Sequence, residues 1–192
     1  MNHRFVKTRD FFRRRLSGRG YTLIELMVVI TIIAIITAIV AANYHAGNRQ
    51  VVLDMQVNEF AQDLRKMQEW SFAAHEVPVG YSPGRASMPG YGIYVAKDSE
   101  SYYLYTDNDN DKKYSSGDTV QQTVYLDSKL EITSCSPSPA SINFIPPDPI
   151  TVITDHLTNS TSTVQASVTF QIKGASSKRT VVVNGAGLIY VQ

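Results

Sequence analysis

An acidic segment in the second half of the chain has residue types and a spacing that suit a hard metal ion. Within residues 107–118, Asp-Asn-Asp-Asn-Asp-Lys-Lys-Tyr-Ser-Ser-Gly-Asp, carboxylates stand at the first, third, fifth and twelfth positions. Calcium takes about six to eight oxygen ligands, which twelve-residue loops supply from alternate positions and from the twelfth. The predicted calcium ligands are Asp107, Asp109, Asp111, the backbone carbonyl of Lys113, Ser115 and Asp118.

Two departures from a calcium-binding loop keep a second interpretation open. Lys112 stands at the sixth position, where the sharp turn normally needs Gly, and Asp118 replaces the longer Glu at the twelfth. Asp and Asn also favour turns through local hydrogen bonds, so a solvated hairpin tip without a metal is the alternative. Both interpretations place the segment between two strands, without the flanking helices of an EF-hand.

Glu25 is the second feature of the sequence that could do chemistry. It is the only charged residue in residues 23–42. This apolar run has the length of about 20 residues that a helix needs to cross a bilayer. A carboxylate inside such a segment is costly, so a functional partner is expected. The alternative is a Glu that extends to the lipid headgroups.

Charge is distributed unevenly along the chain. Residues 1–20 contain seven basic residues and one acidic residue, a net charge of +6, whereas the rest of the chain carries −5. By the positive-inside rule the N-terminus is cytoplasmic and the residues after the apolar run are extracytoplasmic. A conventional signal peptide, cleaved after the small residues at 38–42, is the alternative, but its apolar region would be only about 7–15 residues long.

Catalytic motifs are absent from the sequence. The four histidines, His3, His45, His75 and His156, fall in different segments, without Glu or Cys at metal-ligand spacing. No P-loop or nucleophile elbow is present. Cys135 is the only cysteine, which excludes an internal disulfide. The sequence therefore predicts a protein that is not an enzyme, and a membrane-tethered enzyme remains an alternative without a site to support it.

The elements that position these residues follow from hydrophobic periodicity. Apolar residues spaced by three and four continue beyond the membrane run from Leu53 to Met67, which predicts one helix from Tyr21 to about His75. After Pro78, segments rich in Tyr, Val, Ile and Thr predict strands. These are residues 91–96, 101–106, 121–126, 129–133, 141–145, 164–173, 179–184 and 188–191.

Turn residues complete the predicted fold. Asn184-Gly185 predicts a type I′ turn and hence an antiparallel C-terminal hairpin. The Pro-rich residues 136–149 and the Thr/Ser-rich residues 158–163 are predicted as loops or edges. The predicted fold class is α+β, with a long N-terminal helix packed on an antiparallel β-sheet domain.

Residues 20–25, Gly-Tyr-Thr-Leu-Ile-Glu, resemble the class III leader and methylation motif of type IV pilins and type II secretion pseudopilins. The resemblance implies that a prepilin peptidase cuts between Gly20 and Tyr21, that Tyr21 is then N-methylated, and that Glu25 directs assembly. Tyr21 replaces the usual Phe, and the family's frequent Pro near Ala42 is absent. Cleavage would create an ammonium group in an apolar setting, and Glu25 of a neighbouring subunit could neutralise it.

The resemblance also implies a domain organisation and partners. Residues 1–20 would be the leader, 21–42 the transmembrane half-helix, 43–77 the amphipathic half-helix and 78–192 the β-rich head. Partners would be other pilin or pseudopilin subunits, an inner-membrane assembly platform and the peptidase. The finished subunit would leave the membrane for a filament.

The order of elements, with Pro-Gly-Tyr-Gly-Ile-Tyr at residues 89–94 and the C-terminal hairpin at 178–191, is similar to one subgroup. This subgroup contains the H pseudopilin of type II secretion (GspH) and the FimT-type minor pilins. Some FimT-type pilins bind DNA during uptake through an Arg-bearing tail, which makes DNA binding the alternative function. The tail at residues 185–192 lacks Arg and the mature chain is acidic, so nucleic acid is an unfavoured partner.

Overall fold

One helix and ten strands make up the regular structure of the described residues, which are 20–73, 88–146, 150–162 and 164–192 in this computed structural model. The predicted leader before Gly20 and the predicted helix end near His75 lie outside the described residues. The chain divides into two compact units, residues 1–43 and residues 44–192.

The first unit contains the apolar start of helix α1, which runs from Leu23 to Ala73. Residues Leu23–Ala41 have a mean hydropathy of 2.9, and their side chains are exposed. In the described residues this is the one helical segment long and apolar enough to cross a membrane. An exposed apolar surface of this kind needs lipid or other helices around it, because water would not solvate it favourably.

In the second unit, α1 buries one apolar stripe and exposes the opposite face. The buried residues recur at helical spacing and are Leu53, Val57, Phe60, Ala61, Leu64 and Met67. Charged residues such as Glu59 and Glu69 lie outside this stripe. The amphipathic pattern predicted from the sequence is therefore confirmed, and the stripe faces a protein core.

The strands form two antiparallel sheets. The six-stranded sheet has the order β3-β2-β1-β5-β6-β7, and the four-stranded sheet has the order β10-β9-β8-β4. The strand bounds are β1 Gly90–Val95, β2 Ser101–Asp107, β3 Thr119–Tyr125, β4 Leu130–Ser136, β5 Ala140–Ile145, β6 Ile150–Asp155, β7 Ser160–Ser162, β8 Gln165–Ile172, β9 Lys178–Asn184 and β10 Ile189–Val191. The α+β class is therefore confirmed.

Phe60 of α1 joins both sheets in a common core. Its ring centroid lies 4.9 Å from that of Tyr102 in β2 and 5.3 Å from that of Phe170 in β8. All three side chains are fully buried, and each such aromatic contributes on the order of 2–3 kcal/mol through burial. The Tyr102 hydroxyl also donates a hydrogen bond to Asp63 Oδ2 (2.7 Å), so the helix holds the larger sheet by a polar contact as well.

Strand β6 is an element that the sequence analysis missed. It pairs along its whole length with β5, from Ala140 opposite Asp155 to Ile145 opposite Ile150. All five residues at 150–154 are β-branched, which is the signal that could have identified it. Strand β7 lies at the edge of the sheet, within the segment predicted as a loop or edge.

The hairpin between β9 and β10 is antiparallel as predicted, but the predicted type I′ turn at Asn184-Gly185 is wrong. Val183 pairs with Ile189, which leaves five residues between the paired positions. The Asn184 carbonyl accepts a hydrogen bond from the Gly187 N–H (2.9 Å), and Gly187 has the left-handed φ of 79°. A longer turn closed by Gly187 therefore replaces the two-residue turn.

Candidate functional site

The acidic loop, residues 107–118, connects β2 to β3. Asp107 is the last residue of β2, and Thr106 pairs with Thr119 at the start of β3. This antiparallel pairing places the first and twelfth positions of the loop side by side. One carboxylate oxygen from each of Asp107, Asp109, Asp111 and Asp118 lies within 4.8 Å of the other three. The structure therefore brings together the four carboxylates that the sequence predicted as ligands.

Asp107 organises the first half of the loop. Its Oδ1 accepts hydrogen bonds from the N–H groups of Asn110 (2.7 Å) and Asp111 (3.2 Å), and its Oδ2 accepts one from Lys112 (2.9 Å). Lys112 has a φ of 67°, in the left-handed region that usually favours Gly. The sharp turn expected at the sixth position is therefore formed, although a Lys occupies it.

Asp118 organises the second half. Its Oδ1 accepts a hydrogen bond from the Asn108 N–H (2.9 Å), and its Oδ2 accepts one from the Ser115 N–H (2.6 Å). The Ser115 hydroxyl donates to Asp109 Oδ2 (3.3 Å), which places the ninth position against the carboxylates. Although Asp118 is shorter than the Glu expected at the twelfth position, its carboxylate still accepts hydrogen bonds from backbone N–H groups elsewhere in the loop.

Lys113, at the seventh position, stabilises the same cluster. Its N–H donates to Asp111 Oδ1 (3.0 Å), and its Nζ lies 3.9 Å from Asp111 Oδ2. The Nζ also donates to Asn159 Oδ1 (2.9 Å), in the turn between β6 and β7. Both side chains of the Lys113–Asp111 pair are about one third exposed, so solvent screens this ion pair.

Burial makes the loop carboxylates costly to ionise together. Burial, the largest cause, and the neighbouring Asp118 carboxylate together raise the pKa of Asp107 to about 7, although the hydrogen bond from the Lys112 N–H acts to lower it. Burial also raises the pKa of Asp118. A divalent cation among four carboxylates would offset this repulsion. The donor set consists of oxygens alone, which fits calcium rather than a softer metal.

Tyr114 fastens the loop to the outer face of the six-stranded sheet. Its N–H donates to Ser141 Oγ (2.9 Å), and its ring centroid lies 5.1 to 5.6 Å from those of Tyr94, Tyr103 and Tyr105. The Thr154 hydroxyl adds a hydrogen bond to the Lys112 carbonyl (2.5 Å). Sequence reasoning missed this anchor, although Tyr103 and Tyr105, two residues apart, must share a face of their strand.

Ser141 and His156 form a pair that resembles part of a catalytic dyad. Ser141 Oγ lies 2.6 Å from His156 Nε2. Ser141 is fully buried, however, and its Oγ already accepts the Tyr114 N–H. The adjacent Asp155 accepts from the Leu157 N–H and the Thr158 hydroxyl. Because no substrate could reach the buried hydroxyl, the pair serves to hold the loop.

The predicted processing and assembly residues lie just before helix α1 and in its first turn. Gly20 and Tyr21 precede α1 and are exposed. Glu25 is the acidic residue of the first helical turn, and its neighbours Ile24 and Leu26 are exposed apolar residues. The scissile pair predicted from the sequence is therefore outside the helix, and Glu25 is inside it.

Comparison with known proteins gives two matches over part of the chain. Residues 16–41 match the family described as the prokaryotic N-terminal methylation motif. The chain is also similar to the type II secretion system core protein G of Klebsiella michiganensis, with 32% identity over 90 residues. That alignment covers 44% of this chain and 63% of the relative. No solved structure matches the chain.

Proposed function

We propose that this chain belongs to the type IV pilin and pseudopilin superfamily and that it is a minor subunit of a type IV pilus or type II secretion filament, of the GspH and FimT type. The proposed role is structural, and no catalytic step is assigned to it. The observation that carries the proposal is the exposed apolar helix Leu23–Ala41, which starts two residues after Tyr21 of the Gly20–Tyr21 pair and contains one carboxylate.

The proposed life of the chain has three stages. The chain inserts once into the cytoplasmic membrane, with its basic N-terminus in the cytoplasm and the head, residues 78–192, outside. A prepilin peptidase then removes residues 1–20, and Tyr21 becomes the methylated N-terminus. Finally an inner-membrane assembly platform moves the subunit, together with its N-terminal helix, into a filament of pilin-like subunits.

Glu25 is proposed to select the position of each subunit in that filament. Apolar helices in a bundle can slide along one another, because one ring of Leu and Ile side chains resembles the next. A Glu25 carboxylate paired with the Tyr21 ammonium of a neighbour would fix the axial stagger. An unpaired charge in the apolar bundle would be costly, so only the correct stagger would be stable.

Filament incorporation of Glu25 variants tests this role. We expect Glu25→Ala and Glu25→Lys to insert and to be cleaved like the wild type, but to be strongly depleted from sheared filaments. Glu69→Ala is the matched control, because Glu69 is an exposed carboxylate on the other half of the same helix. Normal incorporation of Glu25→Ala would remove the assembly role. Quantitative mass spectrometry of the same filaments would contradict a minor role if this chain were the most abundant subunit.

The acidic loop is proposed to bind calcium outside the membrane. Asp107, Asp109, Asp111, the Lys113 carbonyl, Ser115 and Asp118 would supply the oxygens. The convergence of four carboxylates supports the site, as does the tight turn at Lys112. Extracellular calcium is millimolar, and loops of this class have dissociation constants of about 10⁻⁴–10⁻³ M. The ion would hold β2 and β3 together at the edge of the head.

Calorimetric titration of the soluble fragment 48–192 tests the calcium site. After chelator treatment we expect heat on calcium addition and a higher thermal midpoint at millimolar calcium. Asp109→Asn and Asp118→Asn should reduce both effects. Asp98→Asn is the control, because Asp98 is an exposed carboxylate in the β1–β2 turn. Neither heat nor a thermal shift in the wild-type fragment would leave the metal-free hairpin tip as the correct interpretation.

A further inference from the structure

The edge strands of the two described sheets differ in how well they are protected. Strands β7 and β10 have only three residues each, and the Ile132 carbonyl of β4 accepts a hydrogen bond from the Asp98 N–H in the β1–β2 turn (2.9 Å). Strand β3 has seven residues, Thr119–Tyr125, and pairs with β2 on one side. An open edge can pair with a strand of another chain unless it is short, charged or covered. Among the described residues, β3 is therefore the least protected edge.

The backbone of β3 presents hydrogen-bonding groups on its open side. The Leu126 N–H donates to the Glu100 carbonyl on the β2 side (2.9 Å). Residues of an antiparallel strand alternate between bonding to the partner strand and pointing away from it, so Thr123 and Tyr125 direct their N–H and C=O groups away from β2. In the part of the chain that the structure describes, these groups form no backbone hydrogen bond on that side. They are available to an added strand.

A bulge limits how far an added strand can extend along β3. The register against β2 shifts between Leu104 and Tyr105, which leaves Gln121 as an extra residue in β3. Bulges interrupt the regular hydrogen-bonding pattern of an edge and so protect it from indiscriminate pairing. The regular open edge is therefore short, at residues 122–125, and a tight complex needs further contacts at its end.

A cavity of about 180 Å³ lies at that end of β3. Its lining includes Tyr125, the buried Leu130 and the charged residues Glu100, Asp127 and Lys173. Tyr125 belongs to both the open edge and the cavity, and it is 75% exposed. The two carboxylates outnumber the one ammonium group, and an exposed Tyr ring attracts a cation to its face. The cavity therefore suits a long basic side chain, whose apolar stem would contact the Tyr ring and the Leu.

We propose that the open edge of β3 and this cavity form a docking surface for an extended segment of another protein that carries a basic side chain. The segment would add a strand beside β3, held by backbone hydrogen bonds to Thr123 and Tyr125. Its Arg or Lys would enter the cavity, so that charge selects the partner. This surface lies in the second unit of the chain and goes beyond the assembly role proposed for Glu25.

A second copy of β3 does not fit the docking surface. Strand β3 contains no basic residue, so pairing of two copies through this strand would leave the cavity without a cation. The chain after residue 20 also carries a net charge of −5, which disfavours association of two copies. Charge complementarity therefore selects a basic segment of a different protein.

Fluorescence anisotropy of a labelled peptide tests the proposal with the full-length chain in detergent micelles. The probe is Arg-Thr-Val-Thr-Val-Thr-Arg, which has Arg at both ends so that one Arg reaches the cavity in either strand direction. A second peptide has Gln in place of both Arg residues. We expect the Arg peptide to bind about ten-fold more tightly than the Gln peptide, the usual effect of a hydrogen bond to a charged group.

Two pairs of variants separate the edge from the cavity. Thr123→Pro removes an N–H on the open side without breaking a bond to β2, and should weaken binding of both peptides by about five-fold or more. Thr123→Val keeps that N–H and should bind both peptides like the wild type. Glu100→Gln should weaken only the Arg peptide, by about ten-fold. Asp98→Asn, which changes an exposed carboxylate in the neighbouring turn, should affect neither peptide.

Each part of the proposal has an outcome that would overturn it. Equal binding of the two peptides to the wild type would exclude the cavity as a site for a cation, and wild-type affinity in Thr123→Pro would exclude the added strand. An Arg peptide that does not bind at millimolar concentration would overturn both parts. The Glu100→Gln comparison uses two peptides on one protein, so it decides the role of the cavity even if Thr123→Pro is unstable.

Sedimentation velocity of the wild type and of Thr123→Pro tests the other occupant of the edge. We expect the same sedimentation coefficient for both, since a second copy supplies no cation to the cavity. Self-association of the wild type that Thr123→Pro abolishes would show that a second copy covers β3, and would overturn the assignment of a different, basic partner.

Discussion

Lys112 holds a backbone conformation that its side chain does not favour. Its φ of 67° lies in the left-handed region, where a Cβ costs about 1–2 kcal/mol. The Asp107 carboxylate compensates by accepting the Lys112 N–H, and the Thr154 hydroxyl by bonding to its carbonyl. The loop therefore forms by hydrogen bonding where other loops of this spacing rely on glycine.

Replacing Lys112 with Gly should stabilise the head. We expect Lys112→Gly to raise the free energy of unfolding of the 48–192 fragment by up to about 1 kcal/mol, because it removes the left-handed strain from the folded state. The greater conformational freedom of Gly in the unfolded state offsets part of this gain. Urea unfolding measures the change. Ser116→Gly is the control, because Ser116 is in the same loop without a left-handed φ, and it should not be stabilised. Equal effects of the two changes would contradict the explanation.

Asp107 should make the calcium-free head less stable as pH rises. Its pKa is raised to about 7 in the folded state, against about 3.9 in an unfolded chain. The folded state therefore binds more protons between these values, and the stability from Asp107 is present below about pH 4 and lost as pH rises through about 7. The contribution of His156 to stability has the opposite pH dependence. Because burial lowers the pKa of His156 in the folded state, its contribution is present above its ordinary pKa and is lost as the pH falls below that value.

Thermal unfolding in chelator isolates the Asp107 contribution. The wild-type midpoint, taken relative to that of Asp107→Asn at each pH, should fall from pH 5 to pH 8. Saturating calcium should remove the fall, since the ion binds the ionised carboxylates. A relative midpoint that stays constant in chelator would show that the buried carboxylate does not titrate in this range.

At the scale of elements, the close approach of β1 and β5 depends on a glycine. A Cβ at Gly92 would overlap the Asn143 amide oxygen and stand 2.8 Å from the Ile142 carbonyl oxygen. Asn143 is fully buried on the neighbouring strand, directly opposite Gly92. The sequence shows a Gly in a strand, which signals close approach in general, but only the register identifies the neighbour.

Gly92→Ala should therefore be destabilising by about 1–3 kcal/mol, the usual effect of overpacking. Gly90→Ala is a matched control two residues earlier on the same strand, where the nearest heavy atoms to a new Cβ are at 3.6 Å. Urea unfolding of the two variants in the 48–192 fragment gives the comparison. Equal midpoints for the two variants would mean that the sheet relaxes around the added methyl group.

The elements also show where prediction from pattern succeeds and where it stops. The predicted helix and eight predicted strands are present with ends shifted by a few residues, because periodicity identifies elements better than their ends. Strand β6 was missed between Pro-rich and Thr/Ser-rich segments, whose loop signals outweighed five β-branched residues. The C-terminal turn was misassigned because Asn-Gly is favourable locally, while the pairing of Val183 with Ile189 requires a longer loop.

At the scale of the whole molecule, the two compact units differ in the surface they present. The first contains an exposed apolar helix, whereas the second buries its apolar residues in a core shared by helix and sheets. Removal of residues 1–20 would take away seven basic residues and leave a chain with a net charge of −5. Such an acidic chain offers few unpaired basic side chains to bind the phosphates of a nucleic acid.

We therefore expect the 48–192 fragment not to bind duplex DNA. A gel-shift assay at about 50 mM and about 200 mM salt tests this, because phosphate binding weakens steeply over that range. Millimolar calcium should be included in a parallel series, since a bound ion would reduce the negative charge of the acidic loop. Retardation at low salt that disappears at high salt would favour the DNA-uptake alternative.

The sequence by itself determined the membrane-spanning helix, the Gly20–Tyr21 and Glu25 motif, the helix and strand content and the set of four acidic residues. Each of these depends on local composition or on spacing along one element, which the order of residues contains directly. The motif's processing and assembly roles stay predictions, as does the calcium site.

Only the tertiary structure decided which residues meet. The Tyr114 anchor, the burial of Asp107 beside Asp118, and the contact of Gly92 with Asn143 arise from strand register between distant segments. Likewise, the hydrogen bond from the Glu25 N–H to the Thr22 hydroxyl (3.2 Å) depends on helix α1 beginning at Leu23. These contacts depend on packing and on hydrogen bonds whose geometry no one-dimensional pattern specifies.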